Sequence, residues 1–297
     1  MFYAKRLMLY SNYAAALDHF KAAPQQLIDL EHFITGLVTN EIQTNYTEIK
    51  RDYDEASYLN AFWANYPPED RGRAPVGDQV PWIEVGEHAV GHKLCRMIGS
   101  KYTVSEIGLP SGADNRFVLY HDEILRITGG FTDCAFVFLD IKSVGPRDNY
   151  AHTVLSPYQV SGDGIWKEPD KNMENSPMTA KGHRVSHPFY PAISPIYPLT
   201  SGKTAPTVHL FVKPVYKMLS GGQKGQPLES IKNVCVPNGI LLCCNPGYLR
   251  QYPDLFFPGK DDKRKDPKKV RARVSFEILE KIASWRVQEF YCAASEK

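Results

Sequence analysis

The chain has 297 residues, of which 43% are hydrophobic and 23% charged, with a net charge of +2. No apolar run approaches the roughly 18 residues of a membrane span, and the first twenty residues hold no signal-peptide core, so a cytoplasmic protein without a membrane segment is expected. The six cysteines form no C-x-x-C pair, which argues against a disulfide or zinc framework and for reduced core residues.

Residues 3–22 and 25–45 carry the apolar periodicity of helices. Residues 66–81, YPPEDRGRAPVGDQVP, are a loop by their four prolines and two glycines. The stretch 82–100 is predicted helical, with Val90, Leu94 and Met97 as its core stripe and Glu84 and Glu87 on another side. Strands are predicted at 103–107, 115–121 and 123–128, then at 134–142 after Gly129-Gly130. Residues 143–206, rich in Pro, Gly and Ser, are predicted to be mostly loop, long enough to need a function. His183 and His187 lie four apart in it, and a loop pair of this kind is a poor metal signal. A strong strand is predicted at 207–218 and one or two more within 231–244. A short strand at 270–274 leads into a predicted helix, SFEILEKIASWRVQEF. Helices outside a mixed central β-sheet make an α/β fold, and the lack of a linker predicts one domain over 1–297.

Charge is uneven along the chain. Residues 259–273, GKDDKRKDPKKVRAR, hold eight Lys/Arg against three Asp, whereas 41–70 hold seven acids against Lys50 and Arg51. The basic segment suits a polyanion, although from charge alone a solvated surface loop is the preferred reading.

The strand CAFVFLDIK ends in charge. Side chains alternate along a strand, so Asp140 and Lys142 share one face and Ile141 takes the other. An acid and a lysine there can hold a hard cation beside a phosphate, the carboxylate as oxygen ligand and the ammonium neutralising phosphoryl charge or orienting water. The pattern D/E-x-K occurs four times, starting at Glu48, Asp140, Asp261 and Asp266, and only the Asp140 copy ends an apolar strand. The alternative is a surface ion pair that caps the strand. A metal needs a second carboxylate. Asp133 lies seven residues back on the same strand and faces the other way, so Asp114, ahead of a separate strand, is preferred. Glu87 is a further candidate acid, or a solvent-facing helical one.

Asp114, a spacer and Asp140-Ile141-Lys142 resemble the PD-(D/E)xK nuclease superfamily, with Ala113 where that motif has proline. A closer resemblance is to the BglI-type type II restriction endonucleases. It rests on FWANYPPEDRGRAPVGDQVPWIEVGEHAVG, EIGLPSGAD, GFTDCAFVFLDIKSVGPRD, LSPYQVSG, APTVHLFVKPVYKM, VPNGI, CNPGY and PGKDD, in one order over about residues 50–285. The resemblance implies a restriction-endonuclease-like fold with a helical part over 1–45, a catalytic core over 82–142 and a DNA-reading segment over 258–274. It implies a homodimeric, prokaryotic, Mg2+-dependent endonuclease cutting double-stranded DNA at an interrupted palindrome. The half-sites would be GCC and GGC around a five-base-pair spacer, leaving 3′ overhangs with 5′-phosphate ends, and a cognate DNA methyltransferase is implied. Asp114, Asp140 and the carbonyl of Ile141 would hold the metal, Lys142 would lie beside the scissile phosphate, and Glu87 would support the site. Lys260, Arg271 and Arg273 would each reach a guanine, matching the three guanines of a half-site. Asp262 and Asp148 would accept from cytosine amino groups. Lys263, Arg264, Lys265, Lys268 and Lys269 fit phosphate contacts. The alternatives are a sequence-specific DNA-binding protein with an inactive nuclease centre and a hydrolase of small phosphate esters.

Overall fold

The computed structural model describes residues 2–59, 85–145, 150–217, 219, 225–259 and 266–291. Three helices open it: α1 (Phe2–Ala22), α2 (Pro24–Thr44) and α3 (Tyr46–Tyr58). A π-helical turn, Glu87–His92, runs into α4 (Lys93–Lys101). Then follow β1 (Thr103–Glu106), β2 (Asn115–Tyr120), α5 (Asp122–Ile127), β3 (Cys134–Ile141) and β4 (His152–Leu155). Short strands β5 (Met178–Ala180), β6 (His187–Phe189) and β7 (Ile196–Pro198) precede the long β8 (Thr204–Tyr216) and β9 (Leu228–Val236). The remainder is α6 (Gly239–Cys243), α7 (Tyr248–Gln251), β10 (Phe256–Pro258), β11 (Ala272–Ser275), α8 (Phe276–Ile282) and β12 (Val287–Tyr291).

The central sheet has the order β1-β2-β3-β8-β9-β12, with β7 added alongside β8. It is mixed: β3 and β8 run parallel, and the other pairs are antiparallel. All eight residues of β3 and all thirteen of β8 are buried, as expected for central strands covered on both faces. Alternation sorts β3 into two sets. Ala135, Val137, Leu139 and Ile141 join the main core with the helices. Cys134, Phe136 and Phe138 join a smaller cluster with Ala113, Val118, Ile193 and Ala205. Asp140 follows Phe136 and Phe138 on that second face. Helix α2 buries Leu27, Leu30, Ile34, Val38 and Ile42, a single stripe at helical spacing, over the other face.

The α/β class and the mixed sheet are as expected. Two local expectations are corrected, and the one or two strands expected within 231–244 narrow to one, β9. Residues 123–128, predicted as a strand, lie mainly in α5: His121 caps it through Nδ1 to the Glu123 N–H, and Asp122 and Glu123 suit its first turn. The second half of 231–244 is α6, capped by Asn238. The predicted helix from Ser275 ends at Ile282, and Val287–Tyr291 pairs with β9 instead. The loop 143–206 contains four short strands, and α3 extends the helical N-terminal part past residue 45.

Candidate active site

The site forms where β2 stops short of β3. The last pair of that ladder is Asn115 with Leu139, so Ile141 has no strand residue opposite it on the β2 side. The Lys142 N–H is taken by Val212 of β8, which leaves the Ile141 N–H and carbonyl on the β2 side. There the Ile141 N–H donates to Asp114 Oδ2 at 2.6 Å. The Ala113 N–H, which a longer ladder would have aimed at the Ile141 carbonyl, turns to Ser111 Oγ at 3.3 Å. The Ile141 carbonyl lies on the same side of β3 as its N–H, the side on which the exposed Asp114 accepts.

Asp140 is 2% exposed. Its Oδ1 accepts from Gln159 Nε2 at 2.6 Å. Its Oδ2 is buried without a hydrogen bond, although Lys142 Nζ forms an ion pair with it. Burial pushes the Asp140 carboxyl up to about 7; Lys142 opposes the rise and the negative charge of Asp114 adds to it. A buried carboxylate held beside an ammonium, with a second carboxylate close by, is a demanding arrangement for a bare protein, and a hard cation would relieve it.

Gln159 is the residue that sequence reasoning missed. Its Oε1 accepts from the Ser156 N–H at 2.8 Å in a capping box, which fixes Nε2 as the donor end. Nε2 donates to Asp140 and also to the Gly112 carbonyl at 3.0 Å, tying the Asp140 strand to the loop that carries Asp114. The spacing Ser156-Pro-Tyr-Gln159 signals the turn. Nothing in it signals the carboxylate nineteen residues away.

The π-helical turn packs on the end of β3. A Cβ on Gly91 would stand 2.7 Å from Ile141 Cγ1, and one on Gly86 would stand 2.1 Å from Ser143 Oγ, so both glycines permit the close approach. Glu87 begins this turn and is half-buried. Among the described residues no three His, Cys, Asp or Glu gather as one metal-holding group, so the carboxylates brought together are the pair Asp114 and Asp140. Asp133 lies at the opposite end of β3 and pairs with Lys203 at 2.5 Å.

Of the DNA-reading candidates, Arg273 falls on a second, three-stranded sheet of order β10-β11-β4. Arg273 sits on its middle strand, opposite Phe257 and Val154. Ala272 and Val274 are buried while Arg273 and Ser275 are partly open, so Arg273 faces away from the core. Arg271 is exposed just before the strand. Lys268 and Lys269 are exposed in a 3-10 turn capped by Asp266. Lys213 of β8 joins the two sheets: its Nζ donates to the His152 carbonyl of β4 at 2.6 Å. Asp148, Lys260, Asp262, Lys263, Arg264 and Lys265 lie outside the described residues.

Comparison with known proteins bears on all of this. A family model described as type II restriction enzyme SfiI matches residues 26–290. The type II restriction enzyme BglI of Bacillus subtilis is 46% identical over 288 residues, covering 95% of this chain and 96% of BglI. The crystal structure of BglI bound to its DNA recognition sequence superposes with a TM-score of 0.92 at 45% identity, over 98% of this chain and 99% of BglI. Tetrameric SfiI bound to cognate DNA gives a TM-score of 0.62 at 16% identity, over 91% of this chain and 86% of SfiI, which is a likeness of fold. With its fold and nearly its whole length matched, the chain belongs to the SfiI and BglI family of type II restriction endonucleases, hydrolases that act on double-stranded DNA.

Proposed function

We propose that the chain works as a Mg2+-dependent homodimer that cuts an interrupted palindrome, with Asp114, Asp140 and Lys142 as its cleavage centre. One observation carries the reading. Asp140 is buried with Lys142 Nζ as the ion-pair partner of its Oδ2, on a strand end where Asp114 accepts the next residue's N–H. The oxygens of Asp114, Asp140 and the Ile141 carbonyl are the hard donors that Mg2+ prefers. Among the described residues no larger ligand group supplements them, and Mg2+ commonly keeps several waters. When bound, the ion neutralises phosphoryl charge and makes a bound water a better nucleophile.

The chain's own residues do the rest. Gln159 holds Asp140 by one oxygen and leaves Oδ2 as the ligand oxygen. Lys142, part-exposed and paired with Oδ2, turns its ammonium toward the scissile phosphate and stabilises the charge that builds up on its oxygens. Glu87, on the turn pressed against β3, supports the site from the helix side. Arg271 and Arg273 reach guanine edges in the major groove, where a guanidinium fits O6 and N7. Lys260 takes a third guanine, and Asp262 and Asp148 take cytosine amino groups. The half-sites are GCC and GGC around five base pairs, the ends carry 5′-phosphates, and a methyltransferase protects the host's own sites in a prokaryotic cytoplasm.

Digestion of a sequenced plasmid with Mg2+, followed by sequencing of the fragment ends, tests this. Cuts confined to GCC-N5-GGC are expected. Cuts at another sequence would overturn the recognition assignment, and specific binding without cuts would overturn the catalytic one.

A further inference from the structure

The turn Glu87–His92 carries a second group of ligand atoms, outside the carboxylate pair. His88 and His92 are four residues apart and both are exposed. Their Nδ1 atoms stand 3.1 Å apart, with ring centroids 4.7 Å apart and planes at 79°. The backbone produces this closeness. An i→i+5 turn winds wider than an α-helix, so residues four apart fall closer to one line along the axis. The turn is also held in place, because Gly91 and Gly86 press it against Ile141 and Ser143 with no room for a Cβ.

Two imidazole nitrogens at this distance share either a proton or a cation. With metal–nitrogen bonds of about 2.0–2.1 Å, two ligands on one ion stand about 2.9 Å apart at a right angle and about 3.4 Å apart at the tetrahedral angle. The observed 3.1 Å lies between these limits, so chelation asks for the rings to turn their lone pairs onto a common ion without bringing the two nitrogens nearer. Both rings are open to solvent, so an ion need not be stripped of all its water to reach them. Imidazole suits Zn2+, Ni2+ and Cu2+, whereas Mg2+ takes oxygen ligands, so Mg2+ at the carboxylate centre does not compete for the pair.

We propose that His88 and His92 chelate a transition-metal dication of the Zn2+, Ni2+ or Cu2+ class at a site separate from the cleavage centre, with water completing the coordination. Occupancy staples the two ends of the turn and so stiffens the segment that bears on the end of β3.

The test is calorimetric titration of the untagged, full-length, EDTA-stripped protein with NiCl2 near neutral pH. Wild type should bind Ni2+, and His88→Ala and His92→Ala should each weaken binding by at least about tenfold. Asp140→Ala should bind Ni2+ as wild type does. Ni2+ should raise the melting temperature of wild type and leave that of the two histidine variants unchanged; their metal-free melting temperatures should match wild type, since both side chains are exposed. Equal Ni2+ binding by wild type and both histidine variants would overturn the proposal. So would loss of the binding in Asp140→Ala, which would put the ion in the carboxylate centre.

Discussion

At the scale of single residues, Asp140 sets stability against function. Its carboxyl loses a proton near pH ~4 in the unfolded chain and at about 7 in the metal-free fold. Between those values the folded state holds more protons than the unfolded one, so this group makes stability fall as pH rises. Three units at about 1.4 kcal/mol each bound the effect at ~4 kcal/mol. Asp140→Asn should therefore raise the stability of the metal-free protein at pH 8 by about 1–4 kcal/mol, flatten its decline between pH 4 and 7, and abolish cleavage. Denaturant melts across that range check the first two effects, and a plasmid assay the third. A destabilised Asn variant would mean that the carboxylate is well accommodated without a metal. Arg273 is the second residue-scale case. Its Nε is buried without a hydrogen bond, although the side chain faces away from the core. Arg273→Lys should lose about 1–3 kcal/mol of discrimination at one base pair. Lys268→Ala should instead weaken all sequences alike and lower the salt slope by about one unit. Competition binding with cognate and single-substituted sites separates the two. Equal losses on both site types for Arg273→Lys would make it a backbone contact.

Among elements, β3 was the most legible in the sequence and the contacts across loops the least. The apolar run Cys134–Leu139 marks a buried strand, and period-two alternation was enough to set Asp133 aside in favour of Asp114. The failures have common physical causes. Short apolar runs such as Ile124-Leu125 fit strand or helix equally, and caps decided them. Gln159 meets Asp140 only through tertiary folding of a loop, which no local pattern encodes. The same holds for the buried pair Glu31 and Arg286, at 1% and 0% exposure, which ties α2 to the start of β12. Glu31 Oε1 also accepts the Asn238 N–H at 2.5 Å, and Trp285 lies under the guanidinium. Burial pushes the Glu31 carboxyl up despite the guanidinium beside it. Arg286→Met should cost about 3–5 kcal/mol by stranding that acid. Adding Glu31→Gln should recover most of the loss, because glutamine still accepts from Asn238 and carries no charge. Urea unfolding of both variants checks this; a double variant as unstable as the single one would show that the guanidinium's packing, and not its charge, is what matters.

For the whole molecule, the fold class and the family were legible because ordered stretches spread over most of the chain carry them. Recognition was legible only as charge. Of the proposed reading residues, Arg273 lies on a separate small sheet joined to the central one by Lys213, Arg271 just precedes its strand, and Asp148, Lys260 and Asp262 lie outside the described residues. One subunit reading three base pairs carries little information, and a two-fold dimer reads a palindrome with two such sets. Sedimentation should give a dimer both free and on a cognate duplex; a monomer on DNA, or a tetramer of the kind described for SfiI, would contradict that assembly. The central claim is that the end of β3 facing Asp114 is the cleavage centre. Plasmid digestion with Mg2+ by wild type, Asp114→Asn and Asp133→Asn, side by side, tests it most directly. Asp133, paired with Lys203 at the far end of the strand, should be dispensable, and its variant should cut at close to the wild-type rate. Asp114→Asn should fall by more than about a hundredfold, as loss of a direct ligand requires. Cleavage retained by Asp114→Asn and lost by Asp133→Asn would put the centre at the other end of β3.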